Sequence, residues 1–238
     1  MSWVDSDNLK IINSAKSTIP FFYRIYSLLV RPIRLSKLIN LLLFGFCPGD
    51  KNYYCFWDWT TLNLKKVIKE VWIQDMSFLD VGTGPYGILP LYINNRLKGK
   101  SVAGCDHSEE LINNAMKQPG CDNITFTKSD LFENIAGQFD LITFNTPYIE
   151  KEFGEKIGVL KGSLSLTRWA GGVKTIEKFI DEVHLHLTAR GFCLLGVNNF
   201  YLADEMIKSI IMKNTCIQCV KHYKNKITKS CVYVLKRK

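Results

Sequence analysis

The stretch FLDVGTGPYGILPL, residues 78–91, constrains the fold more than any other part of the chain. A short apolar run ends at Asp80 and Val81, glycines follow at 82, 84 and 87, and an apolar helical stretch begins at once. A strand that enters a helix through so short a glycine turn opens a strand–helix–strand crossover. Such crossovers build parallel sheets.

The rest of the chain keeps this rhythm. KSVAGCD, NITFTKSD, FDLITFN and GFCLLGV read as strands, and residues 86–96, SEELINNAMKQ, KTIEKFIDEVHLHL and ADEMIKSIIMKN read as helices. Ser108 is placed to cap the second of these helices, with two glutamates in its first turn. KTIEKFIDEVHLHL is expected to end near Gly191. CIQCVKHY and KSCVYVLK close the chain as two strands joined by a short basic link, so they pair antiparallel. The expected architecture is α/β: a Rossmann-like, seven-stranded, mostly parallel sheet with helices on both faces and an antiparallel last strand. Residues 1–52 read as a small N-terminal helical region, with one helix opening at Pro20. Residues 53–238 carry the sheet.

The formal net charge is +9, and from Met206 to Lys238 nine Lys/Arg stand with no Asp or Glu. A basic face attracts phosphate backbones or acidic protein surfaces, and equally it can be plain solvated surface. The eight cysteines sit mainly in apolar runs, where free Cys is a small core residue. Cys216 and Cys219 form a lone CxxC whose two positions face opposite ways on a strand. The polar first 19 residues read as no secretory leader, and a reducing cytoplasm is the expected setting. The apolar stretch 19–46 is interrupted by Arg24, Arg31, Arg34 and Lys37, so no membrane-spanning segment is expected. His107, His184, His186 and His222 show no ligand spacing, and no metal is expected.

Three acids stand at successive strand ends. Asp106 follows Asp80 by 26 residues, where a carboxylate accepts the ribose hydroxyls of a nucleoside cofactor. Asp80 lies two residues ahead of the first glycine. Beside a pyrophosphate its charge is repulsive, and beside a sulfonium or ammonium it is attractive. The loop therefore suits S-adenosylmethionine better than NAD. Asp130 is placed to accept from an adenine amino group. For each acid alone, a strand-end residue facing water or capping a helix is the competing reading. The cofactor set is Asp80, Gly82, Thr83, Gly84, Gly87, Asp106, Asp130, Leu131 and Asn145.

The fourth strand stops at Asn145-Thr146-Pro147-Tyr148, which is either an ordinary turn or the reaction centre. An amide or exocyclic amino nitrogen is a poor nucleophile because its lone pair is delocalised. Two acceptors on its hydrogens, the Asn145 side-chain carbonyl and the backbone carbonyl of Thr146, draw it toward sp³ geometry. Tyr148 can stack on the planar group. Asn145, Thr146, Pro147 and Tyr148 form the catalytic set.

On DVGTGPYG, the acid in AGCDHS, SDLFE and FDLITFNTPYIE, the chain resembles class I S-adenosylmethionine-dependent methyltransferases. More narrowly, it resembles the HemK-type glutamine N5-methyltransferases and related base amino-methyltransferases. RWAGGVKTIEKFIDEVHLHLTARG is similar to the HemK-type Gly-Gly loop and helix, and the likeness covers residues 55–238. It implies a methyltransferase domain at 53–238, S-adenosylhomocysteine as product, and residues 1–52 as a recognition region or lid. Two departures stand out. Thr146 replaces the first proline of Asn-Pro-Pro-Tyr, adding an N–H and freeing φ, which loosens the expected acceptor. Upstream, CFWDWTTLNL lacks the family's proline. Thr60 or Thr61 fills its Thr position, and Trp57 and Trp59 are either a substrate lid or core.

The expected function is N-methylation of a planar nitrogen in a translation-related macromolecule, either a protein glutamine or an RNA base, in a ribosome-associated setting. Methylation of a small metabolite, a non-catalytic S-adenosylmethionine-binding module and an NAD oxidoreductase are the competing readings.

Overall fold

The computed structural model describes residues 29–49, 55–147, 171–199 and 201–238. Tyr148 and the helix start expected at Pro20 lie outside them. The elements are α1 (Lys37–Phe44), α2 (Trp59–Val71), β1 (Ser77–Val81), α3 (Ile88–Tyr92), β2 (Ser101–Asp106), α4 (Glu109–Ala115), β3 (Ile124–Lys128) and β4 (Phe139–Asn145). They continue with α5 (Val173–Glu182), β5 (Leu187–Asn198), α6 (Asp204–Lys213), β6 (Ile217–Lys224) and β7 (Ser230–Arg237).

The seven strands form one sheet in the order β3-β2-β1-β4-β5-β7-β6. β1 to β5 run parallel, and β7 is antiparallel to both β5 and β6. This is the Rossmann-like, mostly parallel seven-stranded arrangement with antiparallel closure expected from the sequence. The strand order reverses at β1, between β2 and β4, and open α/β sheets bind ligands at the strand ends beside such a reversal.

Strand residues alternate between two apolar layers, as the twofold period of a strand requires. Leu79, Val81, Ile142, Phe144, Cys193 and Leu195 meet Ile176, Phe179 and Ile180 of α5 and Ile207 and Ile211 of α6. Phe78, Leu141, Leu194 and Val232 meet Leu64, Val67 and Ile68 of α2, Leu89 and Leu91 of α3, and Phe44 of α1. The described part of the N-terminal region therefore shares the sheet's core. Arg34 reinforces this, donating from Nε to the Trp57 carbonyl at 2.8 Å and from a guanidinium nitrogen to Cys55 Sγ at 2.7 Å.

Ser108 caps α4 by accepting from the Leu111 N–H, as expected. Two boundaries differ from the sequence reading. The helix expected over residues 86–96 starts at Ile88 and passes into a wider turn over Ile93–Leu97. Gly87, in a left-handed conformation, delays its start. The helix expected to end near Gly191 stops at Glu182. A single tight turn, Val183–His186, follows, and β5 begins at Leu187. Tertiary bonds override the helical period there: Thr188 Oγ1 donates to Asp140 at 2.9 Å, and β5 shifts register against β4 between Phe139 and Leu141. A Cβ on Gly191 would lie 2.9 Å from the Phe139 carbonyl oxygen, so glycine permits that close pass.

All eight cysteines are free thiols. Among the described residues, no helix is long and apolar enough to cross a membrane.

His222, which has no ligand spacing in the sequence, lies beside two other ligand-type residues in the structure. Its ring stacks on Tyr233, and Asp204, His222 and Cys231 bring ligand-type atoms within 4.8 Å of one another. The three come from α6, β6 and β7, so no sequence motif announces them. Asp204 is already taken by Lys208 at 2.7 Å, by the Tyr233 hydroxyl and by Lys224 at 3.5 Å. Burial alone would raise the Asp204 carboxyl, but the Lys208 and Tyr233 bonds and the Lys224 charge outweigh it and hold it at about 2. The cluster is an ion-pair network that fixes α6 on the last two strands. Because the folded-state value lies below the ordinary one, its stabilisation is present above pH 4 and fades as pH falls toward 2. Acid unfolding followed by circular dichroism is expected to shift to higher pH in Asp204→Asn.

Candidate active site

One cavity opens at the carboxyl edge of the sheet. It is lined by Asp80 and Gly82–Tyr86, by Asp106 and His107, by Ser129–Leu131 and by Phe144–Pro147. Phe56, Asp58 and Thr61 close it from the side of α2, and Thr175 from α5. All the cofactor positions expected from sequence except Gly87 line it, as do Asn145, Thr146 and Pro147. Gly87 has a packing role instead, since a Cβ there would sit 2.8 Å from the Phe126 ring.

Gly84 is the position where the chain must lack a side chain. Its φ is +65°, and a Cβ there would meet nothing within 4 Å, so the backbone borders open space. Its N–H donates to Asp106 Oδ2 at 3.0 Å. Asp106 Oδ1 accepts from the Ser108 N–H at 3.1 Å and lies 3.2 Å from His107 Nδ1. The carboxylate at the end of β2 is thus aimed by backbone, with lone pairs to spare for a ligand hydroxyl. The His107 bond to Asp106 raises the imidazole above its ordinary range.

Asp80 is only 4% exposed and accepts from Thr143 Oγ1 at 2.6 Å. Burial pushes its carboxyl up to about 7 despite the Thr143 bond, and the nearby Asp106 charge adds to the rise. A buried acid in this state is short of a positive partner. Asp130, by contrast, is 57% exposed and paired with Lys178 at 3.0 Å. It borders the cavity at its rim, already shared with a cation. Leu131 beside it is buried in a left-handed conformation, φ 51°.

At the end of β4, Asn145 Nδ2 donates toward Asp58 Oδ1 at 3.2 Å, Asp58 Oδ2 at 3.3 Å and Thr61 Oγ1 at 3.2 Å. Asn145 Oδ1 is buried with no protein partner among the described residues. Thr146 behaves differently from the loosened position expected for a proline replacement. It is 2% exposed, and both its N–H and its hydroxyl donate to the Gly196 carbonyl, each at 3.0 Å. Hydrogen bonds to β5 replace the ring as the constraint on this residue.

The Gly-Gly pair acts on the next residue. Gly172 donates to the Pro147 carbonyl at 2.8 Å with φ 72° and ψ −158°, a conformation reserved for glycine. A Cβ on Gly171 would lie 2.5 Å from Pro147 Cγ and 2.8 Å from its oxygen. Gly171→Ala is therefore expected to cost about 1–3 kcal/mol. Differential scanning calorimetry should show a melting temperature lower by several degrees.

Sequence reasoning singled out Thr60 or Thr61, and it is Thr61 that reaches the site. Trp57 is core, 2% exposed, and packs edge-on against Trp59 at 5.8 Å. Asp58 was missed as a site residue. Its signal was the Asp58-x-x-Thr61 spacing of a capping box, which the structure forms at the start of α2.

No protein-family model matches the chain. It is 29% identical over 152 residues to the ribosomal protein uL3 glutamine methyltransferase of Francisella tularensis, covering 58% of this chain and 48% of that one. It is 30% identical over 130 residues to a putative protein N5-glutamine methyltransferase of Methanocaldococcus jannaschii, covering 54% and 64%. The chain thus spans about half to just under two thirds of the length of these curated relatives. Among solved structures, a methyltransferase from Pyrococcus furiosus superposes with a TM-score of 0.62 at 18% identity, over 91% of this chain and 98% of that one. The fold is a methyltransferase fold, and the sequence likeness is to HemK-type glutamine methyltransferases.

Proposed function

We propose that the chain is an S-adenosylmethionine-dependent N-methyltransferase acting on the planar side-chain nitrogen of a protein glutamine in the translation machinery. The observation that carries this reading is the Asn145 amide. Its oxygen is buried without a protein partner among the described residues, and Asn145 lines the cavity that the acid-bearing strand ends also line.

The residues fit the cofactor. The open space at Gly84, the Asp106 carboxylate and a buried acid short of a cation suit a ribose and a sulfonium or ammonium group. A pyrophosphate against Asp80 would be repelled, which disfavours NAD. When bound, S-adenosylmethionine would supply an electrophilic methyl group, activated by its positively charged sulfur. Asn145 Oδ1 and the Thr146 carbonyl would accept the two N–H groups of the substrate and stabilise the positive charge that develops on nitrogen, which is discharged when one of these protons is lost to water. Gly196 holds Thr146 in place, and Gly172 holds Pro147. Tyr148, which lies outside the described residues, is proposed to stack on the planar group. Residues 1–52 are proposed to recognise or cover the substrate, and the cytoplasm is the proposed setting.

One observation favours a second target, an RNA base. The β6–β7 hairpin exposes Lys224, Lys226 and Lys229 around a turn pinned by Asn225. Lys224 pairs with Cys231, near the edge where Asn145 pairs with Gly196. That places the basic tip roughly 14 Å from the reaction centre, three strand spacings away.

Tritiated S-adenosylmethionine, incubated with separated protein, RNA and metabolite fractions, tests the proposal. Counts are expected in the protein fraction. Counts confined to RNA would support the second reading, and counts only in metabolites would refute both.

A further inference from the structure

We propose that Asp58 is a positioning residue that locks the Asn145 amide so that its oxygen is the atom presented to the reacting nitrogen. This rests on the methyl-transfer reading of the site. An asparagine amide can sit in two orientations that differ only in exchanging oxygen and nitrogen, and the surrounding hydrogen bonds choose between them.

Here the choice is forced. The near side of the amide faces both Asp58 carboxylate oxygens and Thr61 Oγ1, all within 3.2–3.3 Å. A carboxylate only accepts. Thr61 has one hydroxyl proton, and it is spent on Asp58 Oδ1 at 2.9 Å. Three acceptors therefore confront the Asn145 side chain, and only the NH₂ end can face them. Turning the amide over would set its oxygen against both oxygens of a carboxylate and the lone pairs of the Thr61 hydroxyl.

Asp58 is itself rigid. It is the N-cap of the 13-residue helix α2, and its Oδ1 accepts the Thr61 N–H at 2.7 Å. On the preceding side, Arg34 holds the Trp57 carbonyl, and the Trp57 ring is packed in the core. Trp57 thus anchors the carboxylate of its neighbour. Asp58 also lines the cavity.

Asp58→Ser separates this role from capping, because serine caps a helix as well as aspartate but is too short to reach Asn145. The expected result is a fall in kcat on the order of 10- to 100-fold, with KM for the substrate changing far less. S-adenosylmethionine affinity and melting temperature should stay close to wild type. Asp58→Asn, which keeps an acceptor oxygen, should recover part of the loss. The side-chain amide protons of Asn145, identified by their absence in Asn145→Ala, should exchange slowly in the wild type and rapidly in Asp58→Ser. That NMR readout does not depend on turnover. Wild-type kcat and unchanged amide exchange in Asp58→Ser would overturn the proposal while leaving the methyl-transfer reading intact. A wild-type enzyme that transfers no methyl would overturn that reading, and the exchange data would still decide the orientation.

Discussion

Asn145→Ala is expected to lower the rate of methyl transfer by about 10²–10³-fold, the loss typical of removing one preorganised dipole from a charge-stabilising site. Binding of S-adenosylmethionine should fall far less than the rate, because the side chain's described hydrogen bonds run to Asp58 and Thr61 and not to the glycine loop or Asp106. Single-turnover kinetics with saturating cofactor would isolate the chemical step. Asn145→Asp is informative beside it: the shape is kept, but a carboxylate would face the Asp58 carboxylate and lose the donor that fixes the geometry. Its rate should fall as far as that of the alanine variant, or further. A thermal melt close to wild type for Asn145→Ala would show that the loss is chemical.

The second large effect concerns Asp80 and pH. In the ligand-free protein, burial holds this carboxyl near 7. A bound sulfonium or ammonium favours the ionised form, so binding expels a proton wherever Asp80 is protonated beforehand. The affinity for S-adenosylmethionine should therefore rise by up to about tenfold per pH unit below 7, and level off above it. Calorimetry at pH 5.5, 6.5 and 7.5 in buffers of different ionisation enthalpy would count the proton released. Asp80→Asn should flatten the pH dependence and weaken binding at pH 7.5.

Folding stability carries the opposite sign. The folded-state value is raised, so above the ordinary carboxylate range the unfolded chain gives up a proton that the folded chain keeps. The stability of the free protein should fall as pH rises from about 4 to 7. Added S-adenosylmethionine should restore it most at the upper end of that window.

Much of this architecture was legible because local and global signals agree. The alternation of apolar strands with amphipathic helices specified seven strands, and the short basic link specified the antiparallel closure. Asp80, Asp106 and Asn145 were legible for a further reason. In a parallel sheet, residues at the ends of successive strands must converge on one edge, whatever the loops do.

What was not legible depended on contacts between distant residues. The sequence of Thr146 announces a lost proline ring. That its N–H and hydroxyl both find Gly196, 50 residues on, is a property of β4–β5 register. The reach of Asp58 to Asn145 spans 87 residues and had no periodic signature beyond a helix cap. The early end of α5 reflects Thr188 choosing Asp140 over its own helix. Asp204, His222 and Cys231 come together only because β7 inserts between β5 and β6.

Methylation of a planar nitrogen in this cavity is the proposed reaction. The most direct measurement is mass spectrometry of the product formed with ¹³CD₃-labelled S-adenosylmethionine, with the labelled atom located by fragmentation. The label is expected on an amide or exocyclic amino nitrogen, and first on a glutamine side chain, with the signal lost in Asn145→Ala. Label on oxygen, sulfur or carbon, or the same labelling by Asn145→Ala as by wild type, would contradict it.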